Sequence, residues 1–350
     1  MRRVRLTPRP STAVTSLLAG LCALLAAGCD EIKIDRRHRA PPDEATAATA
    51  AAERHLDGAR RLTDAGLNRQ ARFNNNGTRI VWLCQPTPDQ EFGIRVMNAD
   101  GSSPMPIDTG PGRRHDPVFT PDNGGILYAA VASGAAAGDA APAGDDPAAL
   151  WLFNASLDLW LAGPGDLAPR ALTTTPGYDA EGSYSWGGTR IVCASQRAGR
   201  GALVMMEADG RNAHELLVMD GYVGGPQASP DGSRLVFHAT PPGETRTLEI
   251  YTADLTGGNL RRLTTFEATS FAPVWHPSQQ LILFASNAEG HDMELYLIRP
   301  DGTGLERVTF SPGFDGFPAF SRDGRLLLWT SARGTGQTRE TQIFRANWRG

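Results

Sequence analysis

Seven histidines are spread along the 350 residues: His38, His55, His115, His214, His238, His276 and His291. A neutral imidazole ligates metals and exchanges protons near pH 7, and paired ligands on one element stand a few positions apart. The chain has no H-x-x-x-H, no H-E-x-x-H and no C-x-x-C. It also lacks G-x-S-x-G, the pentapeptide that exposes a serine nucleophile on a sharp strand-to-helix turn. His115 precedes one short strand and His276 follows another, so only folding across repeats would bring such groups together. Asp122, Asp231, Asp301 and Asp323 sit in separate Asp-Asn or Asp-Gly turns. Aspartate bonds its own backbone in such turns, which accounts for these residues without a calcium loop. No metal site and no cofactor are expected.

The elements that would position these residues are short strands. Glycine (39) and proline (25) are numerous and dispersed, as turns between many strands require. One pattern recurs six times. An opening strand appears as Asp116–Phe119 (DPVF), Ala272–Trp275 (APVW) and Phe317–Phe320 (FPAF), with weaker copies at Gln70, Gly182 and Gly225. A turn follows, such as SPDG from Ser229 or SRDG from Ser321, then an apolar run such as RLVFHA or RLLLWT. A third strand ends in Asp-Gly or Thr-Gly, as in IRVMNADG and LYLIRPDG, and a last short strand reads RRLT or ERVT. Taking Ala71, Pro117, Ser183, Pro226, Pro273 and Pro318 as equivalent, the spacings are 46, 66, 43, 47 and 45 residues. Four-stranded propeller blades recur at about 40–45 residues. The long interval holds an Ala-, Gly-, Asp- and Pro-rich run, residues 132–149, which reads as an insertion in blade two. The fold class is therefore all-β: a six-bladed β-propeller of four-stranded antiparallel blades. One blade cannot bury both faces, whereas blades in a ring can.

The N-terminus reads as an export signal. Residues 1–28 carry Arg2, Arg3, Arg5 and Arg9 and no acid, then an apolar stretch densest from Leu17 to Ala27. That stretch is shorter than the ~20 apolar residues a membrane span takes. Leu25-Ala26-Ala27-Gly28-Cys29 resembles the bacterial lipobox, with Ala26 where leucine is preferred. The resemblance implies lipidation of Cys29 and a membrane contact through lipid alone. Residues 29–58, alanine-rich and charged with Pro41-Pro42, read as a tether, disordered or partly helical. The net charge of −4 becomes about −8 without the signal, so nucleic acid is not an expected partner. Cys84 and Cys193, in apolar runs of non-adjacent repeats, are expected to be buried free thiols.

As a set, the repeats resemble the PD40 (WD40-like) repeats of the TolB propeller family over residues 59–350. The last repeat lacks a fourth strand, and Ala59-Arg60-Arg61-Leu62-Thr63 matches RRLT ahead of the first repeat. Residues 59–63 are therefore expected to close the ring by completing the sixth blade. In this family the opening strand is innermost, which places His115, Asp116, Tyr178, Asp179, Glu181, Tyr222, Phe271, Phe314 and Asp315 at the channel mouth. Acids alternating with aromatics suit a peptide segment or polar ligand. The resemblance implies a monomeric binding module on the periplasmic face of the envelope, with envelope proteins as partners, rather than an enzyme. Two departures stand against a Tol-system role: TolB carries an α/β domain ahead of its propeller, and it is soluble. The alternative is a propeller enzyme such as a metal-dependent polysaccharide lyase. Propellers of this kind also accompany prolyl-oligopeptidase-type peptidases, whose hydrolase elbow this chain lacks.

Overall fold

Apolar runs of five or six residues bounded by turns must be buried on both faces, and the only way to do that repeatedly is to stack sheets. The computed structural model describes residues 49, 52–110, 112–131, 157–163, 168–197, 200–244, 246–290, 292–335 and 340–350. The signal 1–28, Cys29, most of the tether and the insertion 132–149 lie outside the described residues. Among the described residues no helix is long and apolar enough to cross a membrane.

Six four-stranded antiparallel sheets form. Blade one is β2 (Leu67–Phe73), β3 (Arg79–Gln85), β4 (Gly93–Asn98) and β5 (Met105–Pro106). Blade two is β6 (Arg114–Phe119), β7 (Ile126–Val131), β8 (Leu157–Ala162) and β9 (Arg170–Ala171). Blade three is β10 (Tyr178–Tyr184), β11 (Arg190–Arg197), β12 (Arg200–Glu207) and β13 (His214–Asp220). Blade four is β14 (Val223–Ala228), β15 (Arg234–Ala239), β16 (Glu249–Asp254) and β17 (Arg261–Arg262). Blade five is β18 (Ser270–Trp275), β19 (Ile282–Ser286), β20 (Glu294–Ile298) and β21 (Glu306–Arg307). Blade six is β22 (Asp315–Phe320), β23 (Leu326–Ser331), β24 (Gln342–Trp348) and, from the other end of the chain, β1 (Leu56–Arg61). The first strand of each blade touches the first strands of both neighbours, so the six line a central channel.

The core lies between blades. Val81, Leu83 and Val96 of blade one pack on Ile126 and Tyr128 of blade two. Val236 and Ile250 of blade four meet Phe284 and Tyr296 of blade five. Fully burying one such side chain contributes about 1.5–3 kcal/mol. Cys84 and Cys193 are buried free thiols in these layers.

The threonine of the RRLT-type strand locks four of the six blades. Thr309 Oγ1 donates to Glu294 at 2.5 Å and accepts the Leu295 amide at 2.8 Å. Thr264 does the same to Glu249 and Ile250, and Thr173 to Asp158 and Leu159. Thr63 reproduces the lock across the two chain ends, donating to Gln342 at 2.7 Å and accepting the Ile343 amide at 2.9 Å. β1 pairs antiparallel with β24, Leu56 opposite Trp348 and Arg61 opposite Phe344. This strand begins at Leu56, inside the segment read as tether. Residues before it also dock: Glu53 binds Arg333 at 3.0 Å, and His55 stacks on Trp348 with ring centroids 5.0 Å apart.

Candidate functional site

Every first strand is bulged. Its pairing to the second strand slips between Arg69 and Arg72, His115 and Val118, Ala180 and Ser183, Gly224 and Gln227, Phe271 and Val274, and Gly316 and Ala319. Within each slip one residue takes positive φ: Gln70 (56°), Asp116 (49°), Glu181 (54°), Gly225 (55°), Ala272 (49°) and Phe317 (53°). Five of these six are not glycine, and such a backbone costs about 1–3 kcal/mol per residue. The gain is direction, because a bulge re-aims a side chain. All six residues line one cavity of about 60 Å³ on the channel axis, room for a few waters. The equivalent of Ala71 and Pro117 in blade three is thus Gly182, one residue before the Ser183 that sequence spacing indicates.

The ring is asymmetric. Blades one to three contribute an amide and two carboxyls, Gln70, Asp116 and Glu181; blades four to six contribute Gly225, Ala272 and Phe317. Glu181 is held by three donors: the Tyr178 hydroxyl at 2.7 Å, the Tyr222 hydroxyl and the Gly225 amide at 2.5 Å. His238 Nε2 lies 3.9 Å from Oε2, the oxygen that accepts the Gly225 amide. Burial, then the Asp116 charge, pushes the Glu181 carboxyl up to about 7. Burial raises Asp116 to about 6 against the pull of Arg72 and Arg69. The Gln70 side-chain amide donates to Asp116. Burial holds His238 at about 3, so its ring stays neutral. Gly225 cannot carry a side chain, because a Cβ there would stand 2.7 Å from His238 Nδ1.

The structure therefore gathers Asp116, Tyr178, Glu181 and Tyr222 on one wall. Phe271 and Phe314 back the opposite wall, their rings 5.3 and 5.9 Å from Phe317. His115 flanks Asp116, half-buried, its pKa pushed down to about 3 by burial and the arginines around it. Two of the expected residues go elsewhere. Asp179 pairs with Arg197 at 2.8 Å, and Asp315 pairs with Arg333 at 2.8 Å and accepts Trp329 Nε1 at 3.1 Å. Both carboxylates are buried ends of clamps at the strand tops, not rim groups. Gln70, Arg72, Phe317 and His238 also line the channel and were not picked out from the sequence. The column before the recurrent proline would have given Gln70 and Phe317. His238 stands out as a histidine inside an apolar run. Among the described residues no group of three or more His, Cys, Asp or Glu is placed to hold a metal ion.

Residues 200–350 match the family model of the TolB β-propeller domain, PD40. A TolB homologue of Chlorobium chlorochromatii is 34% identical over 163 residues, which cover 43% of this chain and 33% of that protein. The matched segment thus spans about a third of the curated relatives' length. The solved structure of a putative TolB from Agrobacterium tumefaciens superposes with TM-score 0.57 at 16% identity, over 81% of this chain and 91% of that one. An oligogalacturonate lyase in complex with manganese superposes with TM-score 0.52 at 13% identity, over 84% and 95%. Those two structural likenesses concern the fold alone. The repeats, the six-bladed ring and the relatives agree: this chain is a six-bladed β-propeller whose residues 200–350 match the PD40 model and are similar to the propeller of TolB.

Proposed function

We propose that this protein is a lipid-anchored envelope propeller that captures a protein or peptide segment at the channel mouth framed by Asp116 and Glu181. The observation that carries this reading is the match of residues 200–350 to the TolB propeller domain. The channel supports it: a half-polar, half-apolar ring offers hydrogen bonds to a backbone or polar side chain on one wall and an aromatic surface on the other. The strained backbone at five non-glycine positions suits a site where side-chain direction outweighs local stability. The Leu25–Cys29 lipobox-like sequence supports an anchor on the periplasmic face, the propeller being carried as a monomer on the tether that starts at Cys29 and ends where Glu53 docks.

Two experiments test the reading. Cys29→Ser should move the protein from the membrane to the soluble fraction and abolish palmitate labelling; unchanged labelling would remove the anchor from the account. Asp116→Ala should reduce recovery of a co-purifying envelope partner at least tenfold, with the melting temperature little changed. Equal recovery from both forms would remove the channel from the account.

A further inference from the structure

The six turns after the first strands converge on the opposite end of the channel. Each is closed by an amide-to-carbonyl bond three residues apart: Gly77 to Asn74, Asn123 to Thr120, Gly188 to Ser185, Gly232 to Ser229, Gln279 to His276 and Gly324 to Ser321. Their second residues include three prolines, and also Asn75, Trp186 and Arg322. Arg322 of blade six reaches across the channel to blade three. Its Cζ stands 4.6 Å from the Trp186 ring centroid, and Nη2 donates to the Trp186 carbonyl at 3.3 Å. Nη1 donates to Asn75 of blade one at 2.7 Å.

Beneath this bridge lies a cavity of about 200 Å³. Its lining mixes aromatic side chains, Phe73, Phe119, Tyr184 and Phe320 among them, with polar ones such as Asn74, Ser183 and Gln227, and Arg72 lines both this cavity and the one on the channel axis. No aspartate or glutamate lines it. Arg322 is exposed and forms no ion pair with a carboxylate among the described residues. The two cavities therefore differ in charge: Asp116 and Glu181 line the first together with Arg72, whereas Arg72 and Arg322 line the second with no carboxylate beside them.

We propose that this second mouth binds a carboxylate carried on an aromatic or apolar body. A guanidinium presents five N–H donors in a planar fork that fits a carboxylate. Stacking on Trp186 fixes that fork in advance, which lowers the entropy a ligand must overcome. A cavity of about 150 Å³ has room for benzene, so this one has room for a phenyl ring on a short stem packed against its aromatic side chains. This cavity adjoins the one at the Asp116 end, with Arg72, Val118, Ser183 and Gln227 lining both, but it opens at the opposite mouth, and the inference goes beyond the reading above. The same chemistry comes from a small aromatic acid or from the C-terminal carboxylate of a chain ending in an aromatic residue.

Calorimetric titration of the full chain tests this with 3-phenylpropionate against its amide, and with Gly-Gly-Phe against its C-terminal amide. At least one acid should bind tenfold or more tighter than its amide. Preference in the first pair alone indicates a small acid; preference in the second indicates a chain end. Arg322→Gln, exposed and therefore expected to melt like the wild type, should abolish the preference. The proposal is overturned if acid and amide bind alike, if none binds at millimolar concentration, or if Arg322→Gln keeps the tenfold preference. The wild-type acid–amide comparison stands without any variant, and none of these outcomes bears on partner capture at the Asp116 end.

Discussion

Glu181 shows how much the channel wall depends on protonation. Two tyrosine hydroxyls and a backbone amide hold its carboxyl, Asp116 and His238 face it, and burial raises it from 4.5 to about 7. A carboxyl raised in this way binds more protons folded than unfolded between those two values. Its stabilisation is complete below about 4.5 and is lost as pH rises through about 7. Asp315 and Glu294, raised to about 6 and about 7, act in the same direction. Thermal melts should show Glu181→Gln gaining on the order of 2 kcal/mol over wild type at pH 8 and little at pH 4.5; a pH-independent difference would refute this. The bulge makes a second prediction. Ala272 holds φ at 49°, so Ala272→Gly should stabilise by about 0.5–1 kcal/mol in denaturant titrations, where a helix or strand interior would give a loss. Tyr178, Glu181, Tyr222 and Asp116 were legible in the sequence because they stand at or just before the recurrent opening-strand motif. Gln70 and His238 were not. Six different residue types hold the same bulge conformation, so no letter marks it. His238 reaches Glu181 only through its register opposite Gly224.

Among the elements, the closing strand was the most legible, because Thr63 belongs to a motif repeated at Thr173, Thr264 and Thr309. Its two hydrogen bonds bridge residues about 280 positions apart. Thr63→Val should cost about 1–2 kcal/mol in chemical denaturation, since it leaves the buried Gln342 side chain short of a donor; no loss would mean that β1 is held by its ladder alone. What precedes β1 was not legible. Glu53 and His55 look like ordinary polar residues of an alanine-rich segment. Their partners, Arg333, Glu306 and Trp348, become neighbours only once the ring has closed. Arg333 serves both Glu53 and Asp315, and the side chains of all three are largely buried. Glu53→Ala should therefore destabilise by on the order of 3 kcal/mol, more than an exposed pair would. A loss under 1 kcal/mol would show that water replaces Glu53 at Arg333.

At the scale of the whole molecule, six unequal copies of one unit give a channel whose two ends differ in charge, something no single repeat contains. Composition and period establish the ring, but they do not say which side chains meet across it: Arg322 and Trp186 lie 136 positions apart in opposite blades. The central claim is that the end framed by Asp116 and Glu181 is where this TolB-like propeller holds a partner. Site-specific photo-crosslinking in cells tests it most directly, with a photoreactive phenylalanine analogue at His115 beside that mouth and at Leu260 on the exposed outer edge. The account predicts a discrete adduct with an envelope protein from position 115 and none from position 260. No adduct at 115, or the same adduct from both positions, would contradict it.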